Sequence, residues 1–186
     1  MKFSPDSRFL LTVSRDREWA VWDVSSRSLR TTSPSKAHSR IIWDCAWFPD
    51  SSSFVTVSRD KRLKIWDEAR EEEGKVAWRE ACSRTFQTSV TAVDISPEGL
   101  ILLGFETGEI CITERRGVEI ELLNSLPRDQ CATLTINTIQ WRPGHWKENE
   151  LTFAACSEDN SLLIVSVSLN RHPQVTNSVH EPWSGN

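Results

Sequence analysis

A histidine, a threonine and an aspartate are the side chains of this sequence that most invite a chemical interpretation. His38, Thr56 and Asp60 offer an imidazole, a hydroxyl and a carboxylate, which are the groups that a hydrolase triad combines. In the α/β-hydrolases such a triad presents its nucleophile on a sharp strand-to-helix turn, within a Gly-x-Ser-x-Gly motif. The sequence contains no such motif. We therefore expect no catalytic residues and seek a structural role for these three side chains.

Sites for metals and cofactors are not predicted either. His145 and Cys156 do not have the spacing of a zinc site, and Gly104 and Gly108 belong to neither a P-loop nor a Gly-x-Gly-x-x-Gly motif. The five cysteines include no Cys-x-x-Cys pair, which favours a reducing compartment. No signal region or apolar stretch of membrane-spanning length occurs. We expect a protein of the cytoplasm, and also of the nucleus, that binds no metal, cofactor or membrane.

Composition and charge limit the function further. With 38% hydrophobic and 26% charged residues, the chain has the composition of a soluble globular protein. Its net charge of −4 excludes a generally cationic surface, so binding to nucleic acid would need a local basic patch.

The elements that position these side chains follow a repeat of 44 to 48 residues. Each repeat has a turn proline, a short β-rich run, a tight polar turn and another strand; the prolines are Pro5, Pro49, Pro97 and Pro143. Four short strands per unit at this period are typical of the blades of a β-propeller, so the predicted fold is all-β. The predicted units are residues 1–33, 34–84, 85–127 and 128–169, followed by a flexible tail at 170–186.

Hydrophobic alternation predicts which faces of the strands are buried. Ile41, Trp43, Cys45 and Trp47 recur at every second position and should share one face of a strand. Most of the nine tryptophans fall within predicted strands and should be core residues, namely Trp22, Trp43, Trp47, Trp66 and Trp141. Only Trp146 and Trp183 are predicted to be free to contact a ligand.

Two Trp-Asp dipeptides, Trp22-Asp23 and Trp66-Asp67, lie 44 residues apart and resemble the signature of the WD40 family. That resemblance implies that a buried hydrogen-bonded chain joins four residues of the second unit, His38, Thr56, Asp60 and Trp66. Only this unit has all four. WD40 propellers usually have more than four blades, and the sequence opens in mid-blade. We therefore expect about four blades of an incomplete propeller, from the C-terminal part of a longer protein or from a truncated product.

A more specific resemblance rests on the stretch from His38 to Trp47, together with Ser14 to Trp19 and Ser58 to Lys61. These segments resemble the C-terminal blades of the Elongator complex protein 2 family; the match is good over residues 1–67 and looser afterwards. The resemblance implies a non-catalytic scaffold whose partners are the other Elongator subunits. It also implies a role in the modification of wobble uridines in tRNA, with indirect or weak tRNA contact and with the chemistry in another subunit.

The WD40 resemblance also implies that five cations lie on one face of two adjacent blades: Arg15, Arg17, Arg40, Arg59 and Lys61. Arginine suits bidentate contacts with carboxylates or phosphates, so this cationic cluster is the candidate partner-binding surface. Alternatively, these side chains only solvate their turns or brace Asp16 and Asp60.

Two alternative functions remain open at this point. The first is a substrate receptor or adaptor of a ubiquitin ligase, a common role of WD40 proteins. Such receptors often carry Trp-Asp-x-Arg, but here Trp22 and Trp66 begin Trp-Asp-Val-Ser and Trp-Asp-Glu-Ala, which weakens that hypothesis. The second alternative is an RNA-binding module that uses the cationic cluster.

Overall fold

A computed structural model of the chain describes residues 1–33, 35–70, 76–144, 149–169 and 174–182. Across these residues, sixteen strands form four antiparallel sheets, and each sheet takes four consecutive strands of the chain. The first two blades contain β1 Lys2–Phe3, β2 Phe9–Val13, β3 Trp19–Asp23, β4 Ser28–Thr32, β5 Ile42–Trp47, β6 Ser53–Ser58, β7 Arg62–Arg70 and β8 Val76–Thr85. The last two contain β9 Val90–Ile95, β10 Ile101–Phe105, β11 Ile110–Arg116, β12 Glu119–Ser125, β13 Ile136–Trp141, β14 Glu150–Ser157, β15 Ser161–Ser168 and β16 Gln174–Pro182. The predicted all-β fold of about four propeller blades is confirmed.

Proline turns connect the first two strands of the blades. The amide of Ser7 donates to the carbonyl of Ser4 at 2.8 Å, and that of Ser51 donates to the carbonyl of Phe48 at 3.0 Å. A proline pre-sets the backbone at the second position of such a turn. The residue two positions after it then takes a positive φ, 62° at Ser7 and 61° at Ser51. These turns place the first two strands of each blade side by side.

The core consists of three layers, each between two neighbouring blades. We call the face of a blade that meets the preceding blade its front face, and the other its rear face. Phe54 and Trp66 on the front face of the second blade pack on Trp19 and Val21 on the rear face of the first. The rear face of the second blade packs on the third, and the rear face of the third packs on the fourth. Each junction therefore joins one rear face to one front face.

One β-bulge changes the predicted burial of the fifth strand. The register of β5 on β6 shifts between Ile42 and Asp44, and a bulge inserts one extra residue into the alternation. Ile42 consequently joins Cys45 and Trp47 in the core, whereas Trp43 is 43% exposed. The prediction that Trp43 shares the buried face was wrong for this reason.

The end of the chain also differs from its prediction. β16 pairs along β15 from Ser161↔Pro182 to Ser168↔Gln174, so the flexible tail predicted for residues 170–186 is wrong for 174–182. This strand carries mostly polar side chains, which is compatible with an outer strand but leaves no hydrophobic alternation to detect. Residues 170–173 and 183–186, including Trp183, lie outside the described residues, as do His145 and Trp146.

No helix within the described ranges is long and apolar enough to cross a membrane.

Candidate functional site

The structure brings together the four residues of the predicted hydrogen-bonded chain. His38 Nδ1 lies 3.0 and 3.1 Å from the two carboxylate oxygens of Asp60, and its Nε2 lies 2.7 Å from Thr56 Oγ1. Trp66 Nε1 donates to the same hydroxyl at 2.9 Å. A neutral imidazole with its proton on Nδ1 satisfies this geometry, since it donates to Asp60 and accepts from Thr56. The hydrogen-bonded chain links the loop before β5 to strands β6 and β7 of the second blade and to the tight turn between those two strands.

Burial and charge explain why the hydrogen-bonded chain of side chains stabilises the blade and is not reactive. Burial alone would raise the pKa of Asp60, but hydrogen bonds from His38 and from the amides of Ser39 and Arg62 outweigh it and lower that pKa to about 2. Asp60 is therefore ionised at neutral pH, and its carboxylate accepts the hydrogen bond from the N–H of the His38 imidazole. The Thr56 hydroxyl is fully buried and lies between two partners, an arrangement that fastens the blade and offers a substrate no access.

Only part of the hydrogen-bonded chain recurs in the first blade. Trp22 Nε1 donates to Thr12 Oγ1 at 3.0 Å, as Trp66 does to Thr56. Trp22 is nevertheless 39% exposed, so the prediction that it is a core residue was wrong. The reason is that the front face of the first blade is uncovered in the described chain.

The tight turn between the second and third strands of a blade has a repeated construction. In the second blade, the amide of Asp60 donates to Ser58 Oγ at 3.1 Å, while the Asp60 carboxylate accepts from the amide of Arg62 at 3.0 Å. The same pattern holds Asp159 in the fourth blade, with Ser157 and Ser161 as the partners. These contacts fix the turn, so that its remaining side chains project from a rigid support.

All five cations of the predicted cationic cluster are exposed: Arg15, Arg17, Arg40, Arg59 and Lys61. Hydrogen bonds to backbone carbonyls hold together the three segments that carry these cations. The amide of His38 donates to the carbonyl of Arg17 at 3.3 Å, and Ser58 Oγ donates to the carbonyl of Arg40 at 3.3 Å. Within the described residues, none of the five side chains forms a direct ion pair with a carboxylate, so they do not brace Asp16 or Asp60 in that way.

The equivalent turns of the third and fourth blades carry acidic side chains. The amides of Arg59, Glu106 and Glu158 each donate to a carbonyl of the segment that leads into the first strand of their own blade, at 3.0, 3.1 and 2.9 Å. The three side chains, with Trp43, line one cavity of about 340 Å³. Charge on this face therefore changes from positive on the first two blades to negative on the last two. Comparing the tight turns across all four repeats would have revealed this change, which the sequence analysis missed.

Further contacts between blades were also missed. Asp44 Oδ2 accepts from the amide of Val93 at 3.1 Å, and Asp94 Oδ2 accepts from that of Trp141 at 2.7 Å. Burial raises the pKa of both carboxyls. Arg115 forms a bidentate ion pair with Asp67, at 2.5 and 2.6 Å. These contacts join the second blade to the third and the third blade to the fourth.

Metal ligation finds no support in the described part of the chain, where no group of three or more His, Cys, Asp or Glu side chains could hold an ion.

The four-stranded blades, their proline turns and the Asp-His-Thr-Trp chain define the class of this protein. The sequence model of the family "WD domain, G-beta repeat" matches residues 1–23 and 27–67, which correspond to the first blade and most of the second. The chain therefore contains WD40 repeats.

Curated relatives give a more specific similarity. The chain is 36% identical to Elongator complex protein 2 of Drosophila melanogaster over 91% of its own length and 23% of the relative. It is 32% identical to Elongator complex protein 2 of Homo sapiens, over 90% of this chain and 25% of the relative. The protein of that name from Saccharomyces cerevisiae is 34% identical over 90% of this chain and 22% of the relative. The chain thus spans about a quarter of the length of the curated relatives it matches.

Proposed function

We propose that this chain is part of a non-catalytic scaffold subunit of an Elongator complex and acts by binding other proteins. The observation that carries the proposal is its similarity, over nine-tenths of the chain, to proteins named Elongator complex protein 2 from an insect, a mammal and a yeast. As the resemblance implies, such a subunit would support the modification of wobble uridines in tRNA while another subunit performs the chemistry. We further propose that it works in the cytoplasm and also in the nucleus.

The cationic cluster is the proposed docking surface. Its cations are exposed, free of direct ion pairs within the described residues, and mounted on turns whose backbones are fixed. Because the backbones of these turns are already ordered, binding would not cost backbone conformational entropy there, and the planar guanidinium of an arginine suits bidentate contact with a carboxylate. The acidic turns of the third and fourth blades extend the same face. A partner protein that is acidic opposite the first two blades and basic opposite the last two would match this arrangement.

The change of charge favours a protein over RNA as the partner. A phosphate backbone that crossed this face would meet Glu106 and Glu158 after leaving Arg59, and like charges oppose each other there. Binding to tRNA that weakened steeply with added salt would support direct phosphate contacts instead, because each neutralised phosphate releases counterions.

Charge reversal in the full protein tests the docking surface. We expect the triple variant Arg15→Glu, Arg40→Glu, Arg59→Glu to lose most of the Elongator subunits that co-purify with the tagged wild-type protein. The matched control reverses three exposed cations outside the cluster, Arg8, Arg27 and Arg30, and should retain them.

The same experiment separates the two parts of the proposal. Equal recovery of Elongator subunits with both triple variants would reject the cationic cluster while leaving the assignment intact. If the wild-type protein itself recovered no Elongator subunit, the assignment would be wrong. Recovery of a cullin-type ubiquitin ligase in its place would identify the chain as a ligase adaptor.

A further inference from the structure

We propose that a cavity between the second, third and fourth blades binds one arginine side chain of a partner protein. The inference rests on the proposed function and deepens it, because it names the chemical group that the partner presents. The cavity has a volume of about 340 Å³. The first strands of these three blades line it through Trp43, Thr91 and Asn137, and their tight turns line it through Arg59, Glu106 and Glu158.

Trp43 gives the cavity an aromatic surface. The β-bulge in β5 lies between Ile42 and Asp44, and a bulge re-aims the side chain that it carries. Ile42 therefore stays in the core while Trp43 is 43% exposed and lines the cavity. Among side chains, the guanidinium of an arginine combines a positive charge with a flat face that stacks on an indole ring. An exposed tryptophan on a paired strand is therefore a suitable support for an arginine.

The charges in the cavity favour a cation. Glu106 and Glu158 contribute two carboxylates, whereas Arg59 is the one cation among the lining residues. Hydrogen bonds from Ser89 lower the pKa of Glu106, so this side chain is ionised at neutral pH. Within the described ranges, neither glutamate forms an ion pair with a cation. An incoming guanidinium would therefore find a carboxylate that is not already paired, and it can bind such a group in bidentate geometry.

Hydrogen bonds between blades fix the shape of the cavity. Thr91 Oγ1 in the third blade donates to the carbonyl of Ile136 in the fourth at 2.7 Å. Thr135 Oγ1 donates to the carbonyl of Glu106 at 3.4 Å, and the amide of Glu158 donates to the carbonyl of Thr135 at 2.9 Å. The backbones that carry both glutamates are thus held together before a ligand arrives. Such preorganisation reduces the entropy that binding costs.

The size of the cavity indicates what can enter it. Ligand pockets in proteins have volumes of about 300–1,000 Å³, so this cavity is at the small end of that range and suits one long side chain. A lysine would supply the charge, but its ammonium group has neither the flat face for Trp43 nor the two parallel donors for a carboxylate. Arginine matches both features of the cavity, and lysine becomes an outcome of the test.

Photo-crosslinking in the full protein identifies the occupant. The probe is a benzophenone amino acid in place of Leu134, an exposed residue that adjoins Thr135 but is not among the lining residues. We expect irradiation of the assembled complex to link this position to a segment of another subunit that contains an arginine. Replacing that arginine by glutamine should abolish the crosslink, and replacing it by lysine should weaken the crosslink.

Substitutions in the cavity provide the second readout. Trp43→Leu, Glu106→Gln and Glu158→Gln should each lower the crosslink yield roughly twofold to fivefold, as expected for partly exposed cation–π and ion-pair contacts. Glu109→Gln is the matched control, since it removes an exposed glutamate of the third blade that does not line the cavity. Circular dichroism would show that all four variants are folded.

The outcomes separate this inference from the proposed function. The arginine site would be rejected if the probe gave no crosslink, if the crosslink survived replacement of every arginine in the linked segment, or if lysine replaced arginine without loss. Equal yields from the three cavity variants and the control would also reject it. A crosslink that meets every expectation but leads to a protein outside the Elongator complex would support the arginine site and contradict the proposed function.

Discussion

The buried hydroxyl of Thr56 provides a quantitative test of the hydrogen-bonded chain. In Thr56→Val the shape of the side chain is kept, but Trp66 Nε1 and His38 Nε2 both lose their partner. All three residues are buried, and an unsatisfied buried polar group costs about 1–3 kcal/mol. Two such groups should lower the free energy of unfolding by about 2–6 kcal/mol, which corresponds to a fall in Tm of roughly 4–24 °C for a chain of this size.

The first blade contains a matched control. Thr12→Val removes the equivalent hydroxyl beneath Trp22, but the partly exposed Trp22 can donate to water instead. We expect that substitution to cost about 0.5 kcal/mol or less. Urea denaturation followed by tryptophan fluorescence would measure both variants, with a constant m-value to show that the unfolded states are comparable. Equal decreases in the free energy of unfolding for Thr56→Val and Thr12→Val would refute the argument that the hydrogen bonds of Thr56 are stabilising because they are buried.

Three further predictions follow from the contacts described above. The pKa of Asp60 is lowered to about 2 in the folded protein, so the stability that this carboxylate contributes is complete above the pKa of an unfolded aspartate, near 3.9, and is lost as the pH falls toward 2. The difference in the free energy of unfolding between the wild type and Asp60→Asn should therefore shrink between pH 5 and pH 2. A difference that stayed constant over this range would contradict the prediction. Arg115→Lys replaces the bidentate contact with Asp67 by a single contact and should lower the free energy of unfolding by about 1 kcal/mol, a small value because the ion pair is partly exposed to solvent. The control Arg116→Lys should leave the urea midpoint unchanged. Gly108→Ala should cost more than Gly117→Ala, since both have a positive φ but only the first Cβ would collide with a backbone carbonyl; similar melting temperatures for the two alanine variants would count against that collision.

Some features of the fold can be predicted from local sequence patterns. The turn prolines impose a fixed φ, and the tight turns need small or acidic residues, so both recur at the repeat period whatever the surrounding structure. The hydrogen-bonded chain of His38, Thr56, Asp60 and Trp66 was predicted from the resemblance of the second unit to the WD40 family. These features depend on neighbours within a single blade.

Other features depend on registers or junctions that local patterns do not encode. The bulge after Ile42 reverses the alternation, and nothing in the side-chain types marks its position. β16 has too few apolar residues to produce a periodic signal. The contacts of Asp44, Asp94 and Arg115 join residues 47 to 49 positions apart across a junction whose geometry appears only when neighbouring blades are packed.

The opposite charges on consecutive turns give this face an electric dipole that lies in its plane. Arg15 and Arg59 form one pole, and Glu106 and Glu158 form the other. A charged macromolecule that approaches through solvent would experience a torque before any contact, within roughly one Debye length, about 8 Å at physiological ionic strength. A partner with the opposite dipole would arrive already turned toward its bound orientation, and its association rate would fall as salt is added.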